Sequence, residues 1–120
     1  MKTEKFKVIE FIRELLLMIN KELENFPKKE IELKNRIKNN GFDILELSYE
    51  ANSTNNIDIK INLLEKILAK IKVVDFLLNI SFDSKLITQK KYIKLANKMD
   101  DITKYATGWA NVISNNRKTI

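Results

Sequence analysis

The chain of 120 residues contains no cysteine, no histidine, one proline and two glycines. Without cysteine it forms no disulfide and no zinc–thiolate site. Without histidine it also lacks the imidazole base of a Ser-His-Asp triad or a Cys-His pair and the Glu-x-x-His motif of carboxylate-bridged metal bundles. Two distant glycines cannot form a phosphate-binding loop. The sequence therefore predicts a protein that is not an enzyme and has no cofactor or metal.

Long apolar runs are missing as well. No run reaches the roughly 18 residues that a membrane span requires, and the first residues lack the apolar core and cleavage site of a signal peptide. A chain of this length is typically one domain with its own core. We therefore expect a single domain over residues 1–120, with no membrane partner, and the absence of cysteine is compatible with a reducing, cytoplasmic location.

Apolar residues instead recur every three or four positions along four stretches, which is the pattern of amphipathic helices. The sequence predicts an all-α protein, an up-down-up-down four-helix bundle. The third helix is apolar on more than one face between Val73 and Ile80, which suggests burial on two sides. The predicted helices span residues 4–25, 27–51 and 57–82, and a fourth begins after Thr88 as its N-cap.

Two breaks within this pattern require interpretation. Phe26-Pro27 ends the first helix because the residue before proline avoids the α region, and Pro27 is expected at the first position of the second helix. Asn39-Asn40-Gly41 interrupts the second stripe. A kink or a break is one interpretation. We favour one continuous helix in which Gly41 lets a neighbouring element approach closely.

The charge is uneven along the chain. The net charge is +6, and residues 87–120 carry seven basic and two acidic groups. A basic element of this kind attracts nucleic acid or an acidic partner, although lysine can also serve solubility alone. Lysine offers charge without base-edge geometry, so binding would be directed to the phosphate backbone and sensitive to salt. Tyr105 is the best candidate for base stacking, but we prefer a structural position at a bundle or subunit edge.

Several short motifs together resemble one known family. They are the turn Asn25-Phe26-Pro27-Lys28, the segments at residues 64–66, 74–81 and 85–92, and Gly108-Trp109. In order and spacing they resemble the accessory variability determinant family of diversity-generating retroelements, which are four-helix bundles similar to those encoded in ribosomal-RNA intervening sequences. The resemblance covers roughly residues 6 to 114, and it depends on the whole set of motifs.

This resemblance implies a non-enzymatic homopentamer that binds a partner reverse transcriptase and holds RNA or cDNA through its basic surface during mutagenic cDNA synthesis. Gly108 and Trp109 would then be an oligomer packing device. The candidate nucleic-acid-binding residues are Lys66, Lys70, Lys72, Lys90, Lys91, Lys94, Lys98 and Lys104.

The chain also departs from the family pattern, in which two glycines often precede the tryptophan; here Thr107 takes the first place. Two further departures lie on the third helix. Asp75 and Asn79 stand where members often carry arginines that are associated with the nucleic-acid surface. That surface would then move to lysines such as Lys72. The alternative is an oligomeric protein–protein scaffold that uses the same bundle without nucleic acid.

Overall fold

A computed structural model of the chain describes residues 2–118, with side chains described from residue 7 to residue 116. The described part is all-helical and contains no strand, which confirms the predicted class. A 3₁₀ turn at Lys28–Glu30 joins the first two helices. The helices are α1 (Lys2–Leu23), α2 (Ile31–Ser53), α3 (Ile57–Asp83) and α4 (Gln89–Lys118).

The helices form a four-helix bundle. Each helix packs against the one that follows it in the chain, and α4 closes the arrangement by packing against α1. Among the described residues, no Cα atom of α1 lies within 8 Å of one of α3, and the same holds for α2 and α4, so these are the diagonal pairs. The short connections make consecutive helices antiparallel, and the elongated molecule measures 54 × 23 × 18 Å. The predicted up-down-up-down order is therefore the observed one.

The core is formed by the apolar stripes of all four helices, as the periodicity predicts. Trp109 lies inside this core with 3% of its surface exposed. The buried polar residues are Ser48 and Ser81; their hydroxyls donate to carbonyl oxygens of their own helices, at 2.6 Å for Ser48 and 2.9 Å for Ser81. The least exposed large side chains are Val8, Ile12, Leu15, Leu23, Ile37, Ile44, Leu64, Ile67, Val74, Leu78, Leu95 and Ile102.

Short polar residues fix where the last two helices begin. The side chain of Asn56 accepts a hydrogen bond from the backbone N–H of Ile59 at 3.0 Å, and Thr88 Oγ1 accepts one from the N–H of Lys91 at 3.2 Å. Each bond satisfies a donor that has no partner within its helix. The predicted N-cap at Thr88 is confirmed.

The connection between α1 and α2 differs from the prediction. Pro27 has ψ of 155°, which is extended, and α2 begins only at Ile31 after the 3₁₀ turn. Pro27 is therefore not the first residue of the helix. The intervening turn follows Phe26, which is buried in the core, so the chain must turn away from the core before α2 can begin. Ile31, the first residue of α2, is 53% exposed.

Gly41 lies in the middle of α2, which is one continuous helix, as we favoured. The residue is buried, and a Cβ atom added to it would lie 2.6 Å from Cδ2 of Leu16 on α1. Carbon atoms at optimal contact are about 3.5–4.0 Å apart. The glycine therefore gives room for the Leu16 side chain, despite its helix propensity cost of about 1 kcal/mol relative to alanine.

We predict that the effect of Gly41→Ala on stability depends on Leu16. In Leu16→Ala protein it should raise the free energy of unfolding by about 1 kcal/mol, the gain in helix propensity. With Leu16 present, that gain should be offset or reversed by the contact. Chemical denaturation of the four proteins of this double-mutant cycle gives the coupling. Leu17→Ala is the control background, because Leu17 is 71% exposed; an equal gain in all backgrounds would contradict the prediction.

Candidate nucleic-acid and assembly surfaces

Two of the candidate lysines on α4 form ion pairs with α1. Lys98 Nζ lies 2.6 Å from Glu14 Oε2, and Lys91 Nζ lies 3.3 Å from Glu22 Oε1. Lys98 Nζ also lies 4.6 Å from the ring centroid of Phe11, within cation–π range. These contacts show which side of α4 faces α1. They also neutralise part of the charge that the sequence places on this helix.

Lys94 lies between these two residues in the helical repeat, three positions after Lys91 and four before Lys98, so it shares their flank of α4. Lys90 precedes Lys94 by one turn. Lys90 and Lys94 are both exposed, and neither has an ion-pair partner within the described part of the chain. We call these four residues, Lys90, Lys91, Lys94 and Lys98, the lysine flank.

The candidate lysines on α3 are separated from that flank. Lys70 pairs with Asp43 of α2 at 3.2 Å and donates to Asn40 Oδ1 at 3.4 Å. Lys66, one turn earlier, lines the same seam between α2 and α3. Lys72 is exposed on another side of α3. The eight predicted lysines therefore do not form one continuous patch, and the lysine flank is the largest group that the fold brings together.

Two of the positions that depart from the family pattern, Asp75 and Asn79, form a polar bridge between α3 and α4. The hydroxyl of Tyr92 donates to Asp75 Oδ1 at 2.9 Å, and Asn79 Nδ2 donates to the Tyr92 oxygen at 3.2 Å. The Tyr92 ring stacks on Phe82 with centroids 5.5 Å apart. Asp75 and Asn79 are thus engaged within the bundle. The periodicity assigned Tyr92 to the core stripe, and nothing in the sequence pointed to its hydroxyl partners.

This bridge changes the acidity of Tyr92. The hydrogen bond from Asn79 lowers the pKa of the phenol, whereas burial and the Asp75 carboxylate raise it, and the net result is a pKa above the ordinary value of 10.0. The carboxylate accepts a hydrogen bond from the neutral phenol and repels the phenolate. The bridge therefore requires the protonated form of Tyr92.

The remaining residues predicted for nucleic-acid binding or oligomer packing lie toward the C-terminal end of α4. Tyr105 packs edge-on against Phe11 of α1, with ring centroids 5.5 Å apart, so it occupies a bundle edge. Lys104 is exposed, with Nζ 5.6 Å from the Tyr105 ring centroid. Trp109 is buried in its own bundle, and the neighbouring Gly108 is half-buried on a different side of α4. The fold therefore gives these two adjacent residues different surroundings.

Two exposed apolar surfaces stand out on the bundle. On α3, Val73 is 46% exposed and Phe76 is 64% exposed, with half-buried Ile80 one turn further on. We call these three residues the α3 ridge. The sequence suggested burial of α3 on two sides, and the single bundle buries only the side that faces its core.

The second apolar surface is a groove between α1 and α2 with a volume of about 240 Å³. Leu17 is 71% exposed and Phe42 is 49% exposed in it. A second cleft continues from it past Tyr49 and Glu10. We call the first cavity the α1–α2 groove; its lining is Arg13, Leu16, Leu17, Ile19, Asn20, Ile37, Lys38, Phe42 and Leu45.

Comparison with family models, with curated proteins and with solved structures gives no match to this chain. No described helix has both the length and the apolar character needed to cross a bilayer. Within the described residues, no three acidic side chains are grouped as a metal ion would require. The lysine flank, the α3 ridge and the α1–α2 groove are thus the features from which a function can be argued.

We predict that Tyr92 ionises above pH 10. The raised pKa in the folded state means that its contribution to stability is present below the unfolded pKa and is lost as pH rises through the folded pKa. Subtracting the alkaline absorbance titration of Tyr92→Phe from that of the wild-type protein should isolate the ionisation of this phenol. The free energies of unfolding of the two proteins should converge as pH rises through the pKa of folded Tyr92. Tyr49→Phe, an exposed control, should retain the late transition; a Tyr92 midpoint at or below 10 would refute the prediction.

Proposed function

We propose that this protein is a non-enzymatic, cytoplasmic accessory protein of a diversity-generating retroelement. It binds RNA or cDNA through the phosphate backbone and docks a reverse transcriptase, supporting mutagenic cDNA synthesis. The proposal combines the order and spacing of the motifs from Leu64 to Trp109 with the placement of the lysines on α4. The protein itself contributes positioning and charge, and the partner polymerase performs the chemistry.

The lysine flank is the observation that carries the nucleic-acid part of the proposal. Lys90 and Lys94 lie one helical turn apart, exposed and without an ion-pair partner among the described residues. Like charges four positions apart repel each other by a few tenths of a kcal/mol in a helix, and a polyanion relieves that repulsion. Lys91 and Lys98 extend the basic flank on either side, and their pairing with α1 fixes its position on the bundle.

Assembly into a homopentamer is the second part of the proposal. The α3 ridge and the α1–α2 groove support it, because exposed contiguous apolar surface on a small protein marks an interaction site. Gly108, half-buried on α4 beside the core residue Trp109, is the packing position that the family resemblance assigns to this assembly. An oligomer also repeats the lysine flank and so raises the avidity for a long polyanion.

A second candidate function is an oligomeric protein–protein scaffold without nucleic acid. The Tyr92 bridge favours it, because Asp75 and Asn79 replace family arginines and are held by hydrogen bonds within the bundle. The neutralisation of Lys70, Lys91 and Lys98 by carboxylates favours it too. In this function the lysines serve solubility, and the apolar surfaces are the working part of the molecule.

Replacing Lys90 and Lys94 together by glutamine tests the lysine flank. If both lysines contact phosphates of a single strand, the double variant should reduce the slope of log K against log salt by about 1.4. Its affinity for a labelled RNA or single-stranded DNA should fall most at low salt. Fluorescence anisotropy over a salt series measures both quantities.

Lys28→Gln combined with Lys29→Gln is the matched control, because these two lysines are exposed on the 3₁₀ turn and the change in net charge is the same. This control should keep the wild-type salt slope. Equal losses in the two double variants would mean that only net charge matters. If wild-type protein fails to bind either nucleic acid at low salt, the scaffold function is the correct one.

A further inference from the structure

We propose that the α3 ridge of one copy of this chain docks into the α1–α2 groove of the next copy. The inference deepens the homo-oligomer of the proposed function by naming its two surfaces, and it is independent of nucleic-acid binding. The two surfaces lie on different parts of the same bundle, since α1 and α3 are diagonal and their described Cα atoms stay more than 8 Å apart. One chain therefore cannot join its own ridge to its own groove.

The shapes of the two surfaces match. Phe76, the most exposed residue of the ridge, is 64% exposed and is flanked by Val73 and Ile80 at spacings of three and four, which places the three on one helix face. The groove is apolar at its centre, where Leu17 and Phe42 are exposed, and offers about 240 Å³. A helix that presents an aromatic anchor to a groove between two helices is a common recognition mode.

Charges at the ends of both surfaces identify the occupant as a second copy and set its direction. The ridge has Lys72 near its first turn and Asp83 beyond its last, both exposed. The groove has Glu10 beside the cleft that continues it and Lys38 at its opposite end. None of these four side chains forms an ion pair with another described residue. Lys72 can therefore face Glu10 while Asp83 faces Lys38.

The spacing of these charges agrees with that register. Lys72 and Asp83 are eleven residues apart, about 16 Å along a helix. Lys38 lies in the groove beside Ile19, and Ile19 is nine residues beyond Glu10, about 14 Å along α1. The reverse direction would place Lys72 against Lys38 and Asp83 against Glu10, which are like charges. The favoured register runs α3 of one copy parallel to α1 of the next.

That direction has a consequence for the assembly. Within one bundle α1 and α3 already run the same way, so two copies docked in this register point in the same direction. A rotation about an axis along the bundle relates such copies. Contacts between unlike surfaces repeat from copy to copy. They close into a ring when a whole number of these rotations makes one full turn.

Disulfide trapping tests the contact directly, because the wild-type chain contains no cysteine. The full chain carrying Leu17→Cys and Ile80→Cys together should form a ladder of dimers, trimers and larger species on oxidation. In the proposed register Ile80 lies within about 2 Å of the level of Leu17 along the helix axis, and each copy offers one cysteine to each neighbour. Each single variant should form no ladder, because each contact then holds only one cysteine and collision between copies can give at most a dimer. Ile59→Cys with Ile93→Cys is the matched control pair, 51% and 48% exposed and outside both surfaces, and should form no ladder.

A charge exchange tests the register. Lys72→Glu or Glu10→Lys alone should weaken association about tenfold or more, because each creates a like-charge contact. The two changes together should restore it. Sedimentation velocity measures association, and circular dichroism confirms that each variant keeps its helices.

The outcomes separate this inference from the proposed function. A ladder together with restored association supports the docking. An oligomer that forms no ladder from the Leu17/Ile80 pair overturns the contact while leaving the homo-oligomer of the proposed function intact. A monomeric wild-type protein overturns both assembly proposals. In that case RNA binding, measured separately, still decides the function of the lysine flank.

Discussion

The burial of four apolar stripes in one core is the constraint on which the rest of the molecule depends. Apolar side chains removed from water contribute about 25 cal/mol per Å², and each helix provides them on a single face. The buried polar residues, Ser48 and Ser81, donate hydrogen bonds to carbonyls of their own helices, so their hydroxyls need no partner on a neighbouring helix. In the described part of the chain, ionisable groups therefore lie at the seams between helices or outside them. Any function of such a bundle is a function of its surface.

At the seams, polar contacts determine how much of the basic charge is available. Lys70, Lys91 and Lys98 each have a carboxylate partner on a neighbouring helix. Exposed ion pairs of this kind add roughly 0–1 kcal/mol to stability, so their main effect here is to neutralise charge. On the other side of α4, the Tyr92 bridge engages Asp75 and Asn79 in hydrogen bonds to a phenol, so these two side chains are less available to a ligand. Lys72 and Lys104 remain exposed singly, and the largest group of candidate lysines that remains available is the short exposed flank at the beginning of α4.

Assembly and polyanion binding occupy different parts of the bundle. The ridge belongs to α3, and the groove belongs to α1 and α2, whereas Lys90 and Lys94 belong to α4. Neither the ridge nor the groove includes the lysine flank, and Gly108, the other proposed packing position, lies more than two helical turns beyond Lys98 on α4. The repeated lysines can therefore act together on one long strand. Multivalent contact of this kind strengthens weak binding without new contacts within each copy. The same arrangement suits a scaffold, in which the repeated α4 surface serves solubility.

The sequence by itself determined the class, the four helices, most of the core and the N-cap at Thr88, because periodicity and capping depend on residues a few positions apart. It also indicated that α3 has a second apolar side. Only the tertiary structure decided that Leu16 is what Gly41 accommodates, that Pro27 precedes a 3₁₀ turn, that Tyr92 reaches Asp75, and which lysines meet a carboxylate. These outcomes depend on which helix lies beside which, and at what height. The side-chain contacts between helices join residues that are between 13 and 84 positions apart in the sequence, and no local sequence pattern predicts such contacts.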